Sequence, residues 1–240
     1  MIILKKNGFL QGIYGGIPIC LGYVSVAFAF GIFAVESGLS VLQTLLISMT
    51  CVTSAGQLAA VPIIAGGGGL VELAISQLVI NMRYSLMSIS LSQKFDKTVR
   101  FLDRFAIAFV NTDEVFAVAS AQKGSVGRAY MYGLMIMPWL GWSTGTLLGA
   151  VAGNLLPTLV TSSLGVAIYG MFIAIVVPEA KKSRPTAICV GIAVALSCLF
   201  YFVPLLQQIP SGFTIILCAV IASAIMAALA PIDQEVDDHA

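Results

Sequence analysis

The sequence predicts an all-α polytopic membrane protein, a single transmembrane domain over residues 1–240 with about six full crossings and two broken or re-entrant segments. Three observations carry this. Of 240 residues, 59% are hydrophobic and only 10% charged, against roughly a quarter charged in soluble domains. Residues 7–35, 37–71, 129–178 and 185–232 contain no charged side chain, and each stretch exceeds the ~20 residues that span a bilayer as a helix. The cations fall in short clusters between these runs, and no polar segment is long enough for a separate soluble domain.

Apolar runs bounded by Gly, Pro and charge define eight segments, at 13–35, 41–65, 70–92, 105–121, 129–153, 164–178, 186–206 and 212–230. The first follows "MIILKKNGFL", too short and unorganised for a cleaved leader, so it is expected to stay as a span. The second carries "TSAGQLAAVP", where Thr53, Ser54 and Gln57 form a polar island around Gly56. Its exposed backbone suits a small polar head group, and small-residue helix packing is the other reading. The third holds Arg83 about midway, in "LVINMRYSLM", with Asn81 and Tyr84 beside it. A guanidinium there is an always-charged fork that fits a carboxylate, either a solute's or that of Asp113 or Glu114 in a structural ion pair.

The fourth segment, "FAIAFVNTDEVFAVAS", sets Asp113 beside Glu114 in an apolar run. Ionisable groups at membrane depth cost from ~2.5 to more than 10 kcal/mol depending on the reference, so they need a reason. Adjacent residues point about 100° apart on a helix, so the two carboxylates cannot share one partner. Asn111 and Thr112 before them read as a helix start with the carboxylates in its first turn, which breaks the segment. In the fifth, Gly141, Gly145, Gly149 and Gly153 recur every four residues and form one flat stripe for close helix contact, within the subunit or against a partner. Glu36, opening a turn, and Glu72, after four glycines, are read as interfacial.

Lys5/Lys6, Lys94/Lys97/Arg100/Arg104, Lys123/Arg128 and Lys181/Lys182/Arg184 are all expected on the cytoplasmic side, with both termini. If every segment crossed once, the cluster at Lys94 would fall outside. Two segments are therefore not simple crossings, unless the charge rule fails at one loop. The suspects carry helix breakers or polar interruptions: "TCVTSAGQLAAVPIIAGGGG", residues 50–69, and the fourth segment. Membranes tolerate such breaks only where protein or a water-filled cavity satisfies the freed backbone. Breaks in the two halves of a chain point to a transporter's binding site, inverted repeats being one origin.

Several chemistries are excluded. Five cysteines lie singly in apolar runs without CxxC spacing, so no metal or redox framework is expected. The one histidine, His239, sits in the tail "DQEVDDHA", which removes Ser-His-Asp, Cys-His and HExxH sites together. No nucleotide-binding motif and no cofactor site is present, and a net charge of +1 gives no reason to expect nucleic acid. Lipid and small solutes are the natural partners.

"GYVSVAFAFGIFAVESGLSVLQTLLISMTCVTSAGQLAAV", then "LVINMRYSLMSISLS", "NTDEVFAVA" and the segment around Trp142 resemble the AzlC family, the large subunit of bacterial branched-chain amino acid exporters. The resemblance runs over most of residues 8–180 in the family's order. It implies a multi-pass cytoplasmic-membrane permease, not an enzyme, that exports neutral aliphatic amino acids with a small hydrophobic AzlD-type subunit. The "AGxxQ", "NxR" and "TDE" patterns carry over onto Ser54 to Gln57, Asn81 to Arg83 and Thr112 to Glu114. The chain departs from the family at "SLGVAIYG", where Gly165 and Val166 stand in place of an acidic residue near an aromatic.

On this reading Ser54, Gly56, Gln57, Asn81 and Arg83 are expected to bind the substrate's polar head. Asp113 and Glu114 are expected to couple a proton, Asp113 in preference, with Glu114 reaching back to Asn111 as in a capping box. The alternative from another class is a non-transporting membrane scaffold in which these charges are structural.

Overall fold

The computed structural model describes residues 8–155, 157, 170, 173, 176–178 and 180–230, and there the chain is helical throughout its regular elements. Helices α1 (Phe9–Glu36) and α7 (Arg128–Leu155) form the axis of the molecule. They run parallel and in register, since successive glycines of α7 meet successive turns of α1: Gly141 against Cys20, Gly145 against Val24, Gly149 against Phe28 and Gly153 against Ile32. The arrangement is reciprocal, with Gly12, Gly16 and Gly31 of α1 against the backbone of α7. Missing side chains on both faces let the two backbones touch.

The second sequence segment is a pair of helices, α2 (Val41–Thr50) and α3 (Ser54–Ala65). A capping box at Ser40 and Gln43 starts α2. Trp139 Nε1 donates to the carbonyl of Met49 at 3.1 Å, fixing the far end of α2 beside the middle of α7. The chain then turns at residues 51–53, and α3 runs back. Leu58, Val61 and Ile64 of α3 pack with Phe30, Ala34 and Leu39 at the end where α2 began. This segment is a re-entrant hairpin.

Helix α4 (Leu70–Ser92) returns along the molecule, and its 23 residues measure about 34 Å at the α-helical rise. A second hairpin follows, α5 (Phe101–Phe109) and α6 (Asp113–Ser120), broken at 110–112. Its two outer ends also lie together, at the opposite end of the axis from the first. Asp103 accepts from Tyr132 Oη at 2.9 Å and pairs with Arg128 at 3.0 Å. Lys94 Nζ donates to the carbonyl of Ser120. The two hairpins thus enter from opposite ends, each followed by a long helix, which is an inverted arrangement of hairpin and helix. The expected fourth segment, 105–121, began too late: α5 starts at Phe101 because Asp103, in its first turn, is buried with its charge met by the Arg100 N–H and by Tyr132 and Arg128 of α7.

Helices α8 (Arg184–Phe202) and α9 (Ser211–Leu229) pack on each other, joined by a 3₁₀ turn at Leu206–Gln208, so the helix of the expected segment 186–206 ends at Phe202. Among the described residues, α1, 128–153 of α7, α8 and 212–229 of α9 are long and apolar enough to cross a membrane. Glu72 was expected at an interface, yet it is buried, and its Oε1 accepts from the backbone N–H of Gly212 at 2.9 Å. It ties the first turn of α9 to α4. Most of the sixth segment, 164–178, the lysines Lys5 and Lys6 and His239 lie outside the described residues.

Candidate functional site

The inner turns of the two hairpins line one cavity. Each second arm starts with a threonine N-cap: Thr53 Oγ1 accepts from the N–H of Gly56 at 3.5 Å, and Thr112 Oγ1 from that of Val115 at 3.4 Å. Helix α3 offers Thr53, Ser54 and Ala55 to a cavity of about 330 Å³, and α6 offers Thr112, Asp113 and Glu114. Two helix N-termini facing one space make it favourable to negative charge.

Arg83 of α4 stands between the hairpins. Its Nη1 pairs with Asp113 Oδ2 at 2.7 Å, its Nη2 donates to Tyr84 Oη at 3.0 Å, and its guanidinium lies 4.7 Å from the centre of the Tyr84 ring. Both members of the ion pair keep about half of their side-chain surface exposed, so a solute can reach them. Glu114 accepts from the hydroxyl of Tyr23 on α1. Tyr23 packs edge-on against Trp142 of α7 at 4.9 Å, and with Val26 and Val52 these rings make the cavity's apolar wall. The cavity therefore holds one cation, two carboxylates, hydroxyls and an apolar surface.

Of the residues expected to bind substrate, Ser54 and Arg83 line this cavity, together with the two carboxylates. Gly56, Gln57 and Asn81 stand behind the wall. The carbonyl of Gly56 already accepts from Gln77 Nε2 at 2.8 Å, and a Cβ there would lie 2.6 Å from Gln77 Oε1, so this glycine permits α3 to approach α4. Asn81 Nδ2 donates to the same Gln77 Oε1 at 3.1 Å, supporting that contact. Gln57 is fully buried, and its amide finds no hydrogen-bond partner among the described residues. Glu114 does not reach back to Asn111 as a capping box; Thr112 is the cap, and Tyr23 is the carboxylate's partner.

Sequence reasoning missed Tyr23, Tyr84 and Trp142 as wall residues. A tyrosine inside an apolar span, needing a partner for its hydroxyl, was the available signal. At the base of the second hairpin, outside the membrane-crossing helices, the N–H of Arg100 holds the Asp103 carboxyl below the usual carboxylate range, helped by Tyr132 and Arg128.

Among the described residues no group of three or more His, Cys, Asp and Glu side chains is placed to hold a metal ion. No solved structure matches the chain. It is 27% identical over 197 residues to the "Inner membrane protein YgaZ" of Escherichia coli, covering 79% of this chain and 80% of that one. It is 29% identical over 195 residues to an "Uncharacterized membrane protein" of Archaeoglobus fulgidus, covering 80% and 85%. A Helicobacter pylori "Uncharacterized membrane protein" is 25% identical over 190 residues. The family model described as "AzlC protein" matches residues 18–156, a stretch that holds both hairpins, Arg83 and the greater part of the α1–α7 axis, and the chain is a membrane protein belonging to the AzlC family.

Proposed function

We propose that the protein is a secondary transporter that exports branched-chain and related neutral aliphatic amino acids across the cytoplasmic membrane in exchange for protons. What supports this reading is one arrangement: two N-capped helix breaks, entering from opposite ends, converge on the Arg83–Asp113 pair. A zwitterion can insert into that pair, its carboxylate taking the guanidinium fork and its ammonium taking Asp113. The aliphatic side chain then lies on the Tyr23, Val26 and Trp142 wall, where burial of apolar surface contributes affinity but little selection among similar side chains.

Exchange follows from competition. The carboxylate of Asp113 is neutralised by the substrate's ammonium or by a proton, and each excludes the other. Glu114, held by Tyr23, keeps a second carboxylate beside the site. The charge rule argues for a cytoplasmic Lys94 to Arg104 end, and the family resemblance argues for the export direction and for a small AzlD-type subunit as partner.

Counterflow of radiolabelled leucine in proteoliposomes, with and without the small subunit, tests this. Accumulation of label against preloaded leucine, enhanced by the partner, is expected. A protein that assembles with the partner yet catalyses no counterflow of leucine, isoleucine, valine or methionine would be a scaffold instead.

A further inference from the structure

A second cavity, about 260 Å³, lies between α4 and α5 at the basic end of the molecule. Ile89 and Phe105 make its walls, and Arg104 stands at it with its guanidinium 5.8 Å from the centre of the Phe95 ring. Lys94, Lys97 and Arg100 belong to the same end, so the mouth attracts a solute that carries a carboxylate. At the other end of the cleft Asn111 Nδ2 donates to Ser88 Oγ at 3.0 Å. Asn111 is only 3% exposed, and its Oδ1 is buried without a hydrogen-bond partner among the described residues. An acceptor in that state is a poor end to a purely structural pocket and a good first contact for an ammonium.

The cleft leads to the central site. Thr112, next to Asn111, lines the central cavity, and so does Tyr84, one helical turn from Ser88. The polar groups therefore follow one seam: Arg104, then Ser88 and Asn111, then Arg83 and Asp113. We infer that the α4–α5 cleft is an entry subsite for the zwitterionic amino acid on its way from the cytoplasmic end, and that the Ser88–Asn111 hydrogen bond is its inner gate, closed in this structure. This rests on the transporter reading above, but its test does not need leucine to be the substrate.

The test places a reporter beyond the gate: Ala55→Cys, on the central cavity, in a full-length protein whose five native cysteines are replaced by alanine. Inside-out vesicles are treated with methanethiosulfonate ethylammonium, a small water-borne cation, and the thermal midpoint of each variant reports folding. Asn111→Ala and, separately, Ser88→Ala should each raise the labelling rate of the new cysteine about tenfold. Ala108→Phe, filling the cleft, should lower it about tenfold. Rates that ignore all three substitutions overturn the inference, as does a Ser92→Cys variant whose thiol the cleft shields from the water-borne reagent while a lipid-soluble maleimide reaches it, the behaviour of a lipid crevice. Leucine counterflow, measured in separate vesicles that carry each gate or cleft substitution with Ala55 left intact, separates the two claims. Gate-dependent labelling without leucine movement would retain the path and reject the substrate; normal counterflow with gate-independent labelling would do the reverse.

Discussion

Replacing Gly145 by alanine adds one methyl group, and the structure says what that methyl group meets. Its Cβ would lie 2.5 Å from the carbonyl oxygen of Val24, 2.9 Å from the Val24 Cα and 3.0 Å from the Ala27 Cβ. Two of these three atoms are backbone, so no rotamer change relieves the clash. Restoring an ordinary contact of 3.4 Å from 2.5 Å requires α1 and α7 to part by about 0.9 Å at the middle of their interface. Parting them also loosens the neighbouring contacts of the interlock, Gly141 on Cys20 and Gly149 on Phe28. Overpacking typically costs 1–3 kcal/mol, and a backbone-to-backbone clash belongs at about 3 kcal/mol. Gly153→Ala is the internal control: the nearest atom to its Cβ is Ile32 Cα at 3.4 Å, an ordinary contact. Alanine there gains up to ~1 kcal/mol of helix propensity, so the variant should be neutral or slightly stabilised. Fluorescence-detected size-exclusion after a temperature series, on purified protein in detergent, reads both midpoints. Equal midpoints for the two variants would refute the backbone-interlock argument, because spacing alone treats all four glycines of the stripe alike.

Three further outcomes are expected. Arg83→Ala should weaken leucine binding by isothermal titration by ~1.5–3 kcal/mol, the value of a hydrogen bond to a charged group, with Arg83→Lys intermediate because it keeps charge and loses the fork; unchanged binding by Arg83→Ala would leave the residue only its pairing role with Asp113. Asp113→Asn should abolish proton-driven efflux and retain leucine counterflow, since a neutral side chain lets the loaded carrier cycle; full pH-dependent efflux in that variant would move coupling elsewhere. The Asp103 carboxyl lies below its ordinary value near 3.8 in the folded chain, so its contribution to stability is complete above that value and is lost as pH falls through the lower folded one; proteolysis of the hairpin base should rise on acidification below pH ~4, and Asp103→Asn should flatten that response.

Much of the architecture was legible because the bilayer enforces it. A chain with so few charges has to bury its backbone polar groups in helices, so the membrane class and the long spans follow from composition and run length. The parity of the basic clusters called for two irregular segments, and the polar interruptions "TCVTSAG" and "NTDE" marked which two. The threonine caps at 53 and 112 make the breaks cheap, since each supplies an acceptor to an N–H that the helix start leaves free.

The partners of those residues were not legible. Spacing of four marks a glycine face but not the helix that meets it, and the register of α7 on α1, which makes Gly145 tight and Gly153 loose, is a property of two surfaces together. The same holds for the site. Sequence set Arg83 and the carboxylates as candidates, and only tertiary structure decided that Asp113 takes Arg83, that Tyr23 takes Glu114, and that Gln57 and Asn81 lie behind the wall. Burying charge and backbone in an apolar medium is a local cost, borne by each residue wherever it sits, so the sequence alone determined that this protein crosses a membrane and where its helices break. Pairing is a relation between residues far apart in the chain, fixed when two hairpins from opposite ends of the molecule bring their inner turns to the walls of one cavity, beside Arg83 and Tyr23.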